Sequence, residues 1–323
     1  MNSKILSVLS VLLAVGLSSA GSSAGPGGDD IPGERAIINS HMHASSLGGD
    51  DSVYLARVIE EMDSLGIEKA VLHINEASDV DTWIRAAPGR FLAGPSFPCV
   101  KAGEGRADSC SWDQGRWPSI DWLRENFEDG TFAVMGEMYF VYAGLSPDDS
   151  RMDPYWSLAA ELDIPVFVHI NRGPPPNSPF RPNGCCPNFD SDLGNPALLR
   201  PVLEKYPDLR ISLQHAGFPQ MPMLGDIAYI EETFDLLRDY PDVYVDMTIL
   251  NSVVPLPVHR AAVRQFVERG FADRIMFGTD NLDAGQILAR YRSMEFLSES
   301  ELRGIFYDNA ARFMRLHQPE KSH

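Results

Sequence analysis

The stretch PVFVH, Pro165–His169, sets Val, Phe and Val side by side with no polar residue alternating between them. A half-buried strand alternates apolar and polar side chains. A strand that is apolar throughout is covered on both faces, as in a parallel sheet wrapped by helices. RIMFG, Arg274–Gly278, reads the same way. Working outward from these two, apolar and β-branched runs predict eight strands: Ala36–Asn39, Lys69–Ile74, Phe91–Phe97, Thr131–Met135, Pro165–Val168, Arg210–Leu213, Val243–Val245 and Arg274–Phe277. Helical patterns lie between them. Ser52–Leu65 places Val53, Ala56, Ile59 and Met62 close to a 3.6-residue period, and Pro154–Leu162, Pro196–Lys205, Gly225–Asp239 and Pro257–Arg269 read similarly. Several of these begin at proline, which suits a first helical turn, and Gly66 and Gly270 stand where helices should stop. Eight strand–helix units in one chain fit an α/β fold of the (β/α)8 barrel type, a TIM barrel in a single domain over residues 36–318, better than an open doubly wound sheet.

The chain has 323 residues, 27 Lys and Arg against 45 Asp and Glu, and a formal charge of −18. Such an anionic surface disfavours nucleic acid and anionic membranes as partners. Residues 1–24 carry one charge, Lys4, an apolar run from Ile5 to Leu17, and small residues suited to a signal peptidase. The run is shorter than the roughly 20 residues of a membrane span. We therefore expect a signal peptide over 1–24, a flexible leader over 25–35, and a secreted or periplasmic protein with no membrane association after cleavage. Cys99, Cys110, Cys185 and Cys186 are an even count, which in an oxidising compartment points to disulfides. Three connectivities exist and the sequence does not choose among them.

In a barrel, the C-terminal strand ends surround one site. The first strand runs into AIINSHMHAS, with His41 and His43 two residues apart. The fourth runs into VMGEM with Glu137, the fifth ends in His169, the sixth in QHAG with His215, and the eighth in GTDN with Asp280. Alternate residues on a strand share a face, so His41 and His43 can offer two nitrogens to one ion. A lone strand-end histidine is usually structural, Glu137 alone could pair with a base, and Asp280 alone could cap a helix. Together they make a ligand set of imidazole and carboxylate that suits zinc or a similar divalent metal. Bound zinc lowers the pKa of water to about 7, supplying hydroxide at neutral pH.

The ordered set His41-x-His43, Glu137, His169, His215, Asp280 resembles the amidohydrolase superfamily. The segments GEMYFVYAGLSPDD, DPYWSLAAELDIPVFVHI, LRPVLEKYPDLRISLQHAG, VYVDM, ADRIMFGTDN and FYDNAARFM resemble its amidohydrolase-related branch. The resemblance implies a metal-dependent hydrolase acting on an amide, ester or lactone of a small organic substrate. His41, His43 and Asp280 would hold a first metal, and His169 would be a further ligand. His215 would serve as a second-metal ligand or a catalytic base, and Asp280 would also accept the proton of the attacking water. Many two-metal members carry a bridging carboxylated lysine where this chain has Glu137. A glutamate can bridge as well, so two ions are favoured over one.

Around this set, Arg172, Tyr139, Asn281 and His73 are read as candidates for substrate contact, with a structural histidine the stronger reading for His73. Asp246 is read as a supporting or capping carboxylate. His259, His317 and His323 are assigned no role. Two other functional classes compete. One is a non-oxidative decarboxylase on the same scaffold, for which Arg172 could hold a substrate carboxylate. The other is a non-catalytic metal-binding protein. Assembly into homo-oligomers is open.

Overall fold

The computed structural model describes residues 36–44, 51–98, 100–101, 109–110, 117–176, 186–219 and 228–316. The expected signal peptide and leader, Cys99 and Cys185, and His317 and His323 lie outside the described residues. Eight parallel strands follow the expected order: β1 Ile37–His43, β2 Ile67–Ile74, β3 Phe91–Pro95, β4 Met135–Met138, β5 Val166–His169, β6 Ile211–Gln214, β7 Val243–Asp246 and β8 Ile275–Met276. They form two parallel runs, β1-β2-β3 and β4-β5-β6-β7-β8. Backbone bonds join the runs at both seams. Ala133 N and Val134 N donate to Ala93 O at 2.8 and 3.3 Å, and Ser40 N donates to Phe277 O at 2.7 Å. The sheet is thus a TIM barrel.

The crossovers carry α1 Asp51–Leu65, α2 Ile120–Glu128, α3 Phe140–Ala143, α4 Asp153–Leu162, α5 Arg200–Lys205, α6 Ile230–Asp239, α7 Leu250–Val253, α8 Leu256–Glu268 and α9 Ala284–Arg292. The crossover from β2 to β3 has only a short π-type turn at Val80–Arg85. Helix α2 has no counterpart in the sequence reading, because only Leu123 and Phe127 of it are buried. Its start is fixed by Ser119, whose side chain accepts from Trp122 N. The single helix expected at Pro196–Lys205 divides into a 3₁₀ turn, Pro196–Leu199, and α5. Pro201 lacks the N–H that a continuous helix would need there. The first residues of the helix expected from Gly225 lie outside the described residues.

Most strand boundaries lie within two residues of the sequence expectation, and two strands depart further. Strand β1 runs on through both histidines. Strand β4 begins where the predicted strand ends and continues through Gly136 and Glu137. Gly136 has φ +119°, and a Cβ there would run into the Phe167 carbonyl. Only glycine lets β4 press against β5 at this point, and that pairing carries Glu137 into the barrel.

The core has two main parts, beside a small cluster of Tyr139, Val141, Tyr142 and Cys186. The larger lies between the strands and the helical shell. The smaller fills the barrel: Ile38, Val71, Val134, Phe167, Tyr244 and Met276 point inward and meet Phe313 of the C-terminal helix α11, Asn309–Phe313, which follows α10, Glu299–Arg303. Arg210 donates to the Phe313 carbonyl and pairs with Asp163, fastening that helix beneath the barrel. The inward positions recur every second residue: Val71 then His73, Phe167 then His169, Tyr244 then Asp246. This period places the polar strand ends in the layers directly above the apolar plug.

Candidate metal centre

His41 and His43 turn their Nε2 atoms to within 3.2 Å of each other. Asp280 reaches them because β8 is tied to β1 just beyond its end. Asp280 N and Thr279 N donate to His41 O, and Asn39 accepts from Thr279 N at 3.1 Å while donating to Thr279 Oγ1 at 2.8 Å. Asp280 Oδ1 then lies 3.1 Å from His43 Nε2 and 3.7 Å from His41 Nε2. Glu137 Oε2 lies 3.2 and 3.4 Å from the same two nitrogens. Two ligands of one zinc ion, each about 2.1 Å away at the tetrahedral angle, are about 3.4 Å apart. These four donors match that spacing.

The other oxygen of Glu137 faces a second group. Oε1 lies 2.8 Å from His169 Nδ1 and 3.5 Å from His215 Nε2, and those two nitrogens are 3.0 Å apart. Glu137 therefore stands between a four-donor set and a three-donor set, one carboxylate oxygen in each. His215 and Asp280 adopt left-handed backbone, φ +72° and +50°. Such strain in non-glycine residues costs on the order of 1 kcal/mol each and collects at sites where side-chain aim matters.

The electrostatics follow from crowding buried charge. Burial alone would lower the His41 pKa, but Asp280, Asp246 and Glu137 outweigh it and hold the ring well above its usual value. Burial likewise works against His43, yet bonds to Asp280 and Glu137 raise it. For His169 burial prevails and lowers it. Burial would raise Glu137, Asp246 and Asp280, but the neighbouring imidazoles, His41 foremost, keep all three below the ordinary carboxylate range. Tyr139 is held well above the usual phenol value, first by burial and then by Glu137 and Asp280, so it stays protonated. Imidazole nitrogens turned toward each other beside ionised carboxylates form a cage for a cation, and a divalent metal fits this donor set. Among the described residues the same groupings emerge as metal-competent clusters: His41, His43 and Asp280; Glu137, His169 and His215; and His41, His215 and Asp246.

The structure brings all six residues of the sequence-derived ligand set together. Tyr139 joins them, stacked on the His43 ring with its hydroxyl 3.4 Å from His43 Nδ1. Arg172 is half-buried in the segment following β5. His73 and Asn281, two of the candidates for substrate contact, are bonded to the protein itself. His73 lies fully buried beneath His41, donating from Nδ1 to Gly136 O at 2.7 Å and accepting at Nε2 from Gln214 at 2.8 Å. Both ring nitrogens are thus engaged by protein, and burial, with His41 and His43 adding to it, pushes the pKa down to about 3. Asn281 holds the His43 backbone, accepting from N at 2.9 Å and donating to O at 3.0 Å, and is itself partly exposed. Sequence reasoning missed Asn39 and Thr248. Thr248 lies two residues past Asp246 and so on the same inward face, which is the signal that could have found it.

A TIM barrel with this mouth defines a class of metal-dependent enzymes. The chain belongs to the amidohydrolase family: the family model Amidohydro_2, described as amidohydrolase, matches residues 60–316. Members are hydrolases and decarboxylases, so the chain is an enzyme. No curated protein sequence matches it. Among solved structures it resembles a TIM-barrel protein from Bordetella bronchiseptica, 16% identical with a TM-score of 0.57 over 87% of this chain and 99% of that one. It also resembles a probable 2-pyrone-4,6-dicarboxylic acid hydrolase from Acinetobacter baumannii, 13% identical with a TM-score of 0.58 over 86% and 99%. A third is a dihydroxybenzoic acid decarboxylase from Polaromonas sp. JS666 solved with bound manganese, 16% identical with a TM-score of 0.53 over 88% and 98%.

Proposed function

We propose that the chain is a two-metal hydrolase of a small organic ester, lactone or amide. The observation that carries this reading is Glu137, whose two oxygens face two separate donor sets. His41, His43, Asp280 and Glu137 Oε2 would hold one ion; His169, His215 and Glu137 Oε1 would hold the other. Zinc suits both sets, and manganese, present in the Polaromonas decarboxylase, is the alternative. When bound, the metals supply a nucleophile from water at neutral pH and polarise the scissile carbonyl.

The chain's own residues supply the rest. The Asp280 side chain is 17% exposed, the most open of the six, which otherwise range from 0 to 8%. It is ionised and within reach of the mouth, so it takes the proton of the attacking water and delivers it to the leaving group. Tyr139 remains a neutral hydrogen-bond donor beside His43. Arg172, half-buried on the segment after His169, provides a cation for an anionic substituent of the substrate. Arg172 also supports a decarboxylase as the second reading, since that reaction needs a cation for the departing carboxylate. Cys186 is disulfide-bonded, its partner lying outside the described side chains, and this supports export to an oxidising compartment.

Turnover of an ester, lactone and amide panel in ¹⁸O-labelled water, beside metal analysis of the purified protein, tests the proposal. One labelled oxygen in the product carboxylate and two ions per chain are expected, with Glu137→Gln retaining fewer ions. Release of carbon dioxide from a carboxylic acid added to the panel, with no label entering the organic product, would assign the decarboxylase instead.

A further inference from the structure

Behind the donor sets, the ends of β7 and β6 carry a small buried network. Asp246 Oδ2 lies 3.1 Å from His41 Nδ1, and Oδ1 accepts from His215 N at 3.1 Å and from Thr248 N at 3.0 Å. Thr248 donates its hydroxyl to the same Oδ1 at 2.6 Å. A hydroxyl has one hydrogen and two lone pairs. With the hydrogen committed to Asp246, the oxygen can only accept, and two imidazole nitrogens stand at its lone pairs: His215 Nδ1 at 2.8 Å and His41 Nδ1 at 3.1 Å. Both rings must then carry a proton on Nδ1, which leaves their Nε2 atoms, both turned to Glu137, as the positions a metal would take.

These two histidines belong to different donor sets. His41 Nε2 faces Glu137 Oε2 and His215 Nε2 faces Glu137 Oε1. We infer that Thr248, anchored by Asp246, is a positioning residue shared by both metal positions, fixing the tautomer and ring orientation of one ligand in each. This rests on the two-metal reading above. Outer partners of metal-bound histidines commonly change metal affinity by about 10–100-fold. One hydroxyl lies against both rings, beside Asp246 Oδ2 at 3.1 Å from His41 Nδ1 and the Thr248 carbonyl at 3.4 Å from His215 Nδ1, so a single substitution should weaken both positions together.

The geometry favours a clean test. Thr248 is fully buried, and its methyl group is the nearest side-chain atom to the position a Cβ on Gly278 would take. Thr248→Val keeps that shape and removes the hydroxyl. Thr248→Ser keeps the hydroxyl and removes the methyl. Metal-free wild type and both variants are titrated with Zn²⁺ against a chromophoric chelator, which reads stoichiometry and both stepwise constants without turnover. Circular dichroism confirms a cooperative thermal transition in each.

The expected result is two ions in wild type, both constants weakened about tenfold or more in Thr248→Val, and both within about threefold of wild type in Thr248→Ser. Weakening of only one position, or of neither, overturns the shared role while leaving the two-metal reading intact. Equal weakening in Thr248→Ser also overturns it, because packing and not the hydroxyl would then be responsible. A wild type that binds fewer than two ions removes the two-metal reading itself, and the inference with it.

Discussion

The rings of His41 and His73 lie 5.2 Å apart, both fully buried, and they answer burial in opposite ways. His41 is pushed up by three carboxylates, and His73 is pushed down to about 3. They belong to adjacent layers of the barrel. In the lower layer neutral polar groups bond to complementary ones: Asn39 with Thr279, and His73 with Gly136 O and Gln214 Nε2. In the upper layer like groups crowd together beside the carboxylates of Glu137 and Asp280. His41 Nε2 faces His43 Nε2, and His169 Nδ1 faces His215 Nε2. The lower layer is held by neutral hydrogen bonds, whereas the upper layer gathers ionised carboxylates and imidazoles that a proton or a metal ion must balance. Burial of a histidine thus carries no functional meaning by itself. What its nitrogens face decides.

The largest effect that could break this contrast is in the upper layer. Asp280→Asn should keep the fold, with a melting temperature within a few degrees of wild type, and lower turnover by about a thousandfold. Near-native turnover in steady-state kinetics would remove Asp280 from the proton path. In the lower layer the consequence should fall on stability instead. Asn39→Ala removes the bonds Asn39 makes to Thr279 and to the His41 amide and should cost about 2 kcal/mol in urea unfolding. Its metal stoichiometry should match wild type; a lost ion would show that the two layers are not separable.

The smallest effect sharpens the comparison with a third environment. His259 sits in the helical shell, packed edge-on against Tyr291, and burial, with Arg290 adding to it, pushes its pKa down to about 3. Its unfolded value is near 6.5. Between these values the unfolded chain binds the extra proton, so this group's contribution to stability is intact above pH ~6.5 and is lost as pH falls toward 3, by up to about 1 kcal/mol per unit. His259→Phe keeps the aromatic contact. Urea unfolding of the variant at pH 7 and pH 5 should show a smaller loss on acidification than wild type. An equal loss would place the acid sensitivity in the barrel mouth.

The upper layer was legible in the sequence because its ligands sit at strand ends, where a two-residue period and unusual residue types coincide. His41-x-His43 and the inward step from Phe167 to His169 are the clearest cases. Strand β4 was harder to bound, because Gly136 interrupts the apolar run although the strand continues through it. His73 could be read either way, since its inward position is the same as a ligand's and only its partners distinguish it. Thr248 and Asn39 carried no signal by type, as threonine and asparagine are common at strand ends. Their roles arise from bonds to residues far along the chain, Asn39 to Thr279 and Thr248 to His41.

The apolar plug closes the base of the barrel. With Phe313 against Phe167 and Tyr244, the described residues leave no passage there, so reactant and product come and go at the end of the barrel that carries the polar strand ends. The plug also makes assembly a whole-chain event. The interior seeded by Ile38 stays open to water until a helix near the opposite end of the chain swings underneath, so a shortened chain would show its greasy inside to whatever surrounds it.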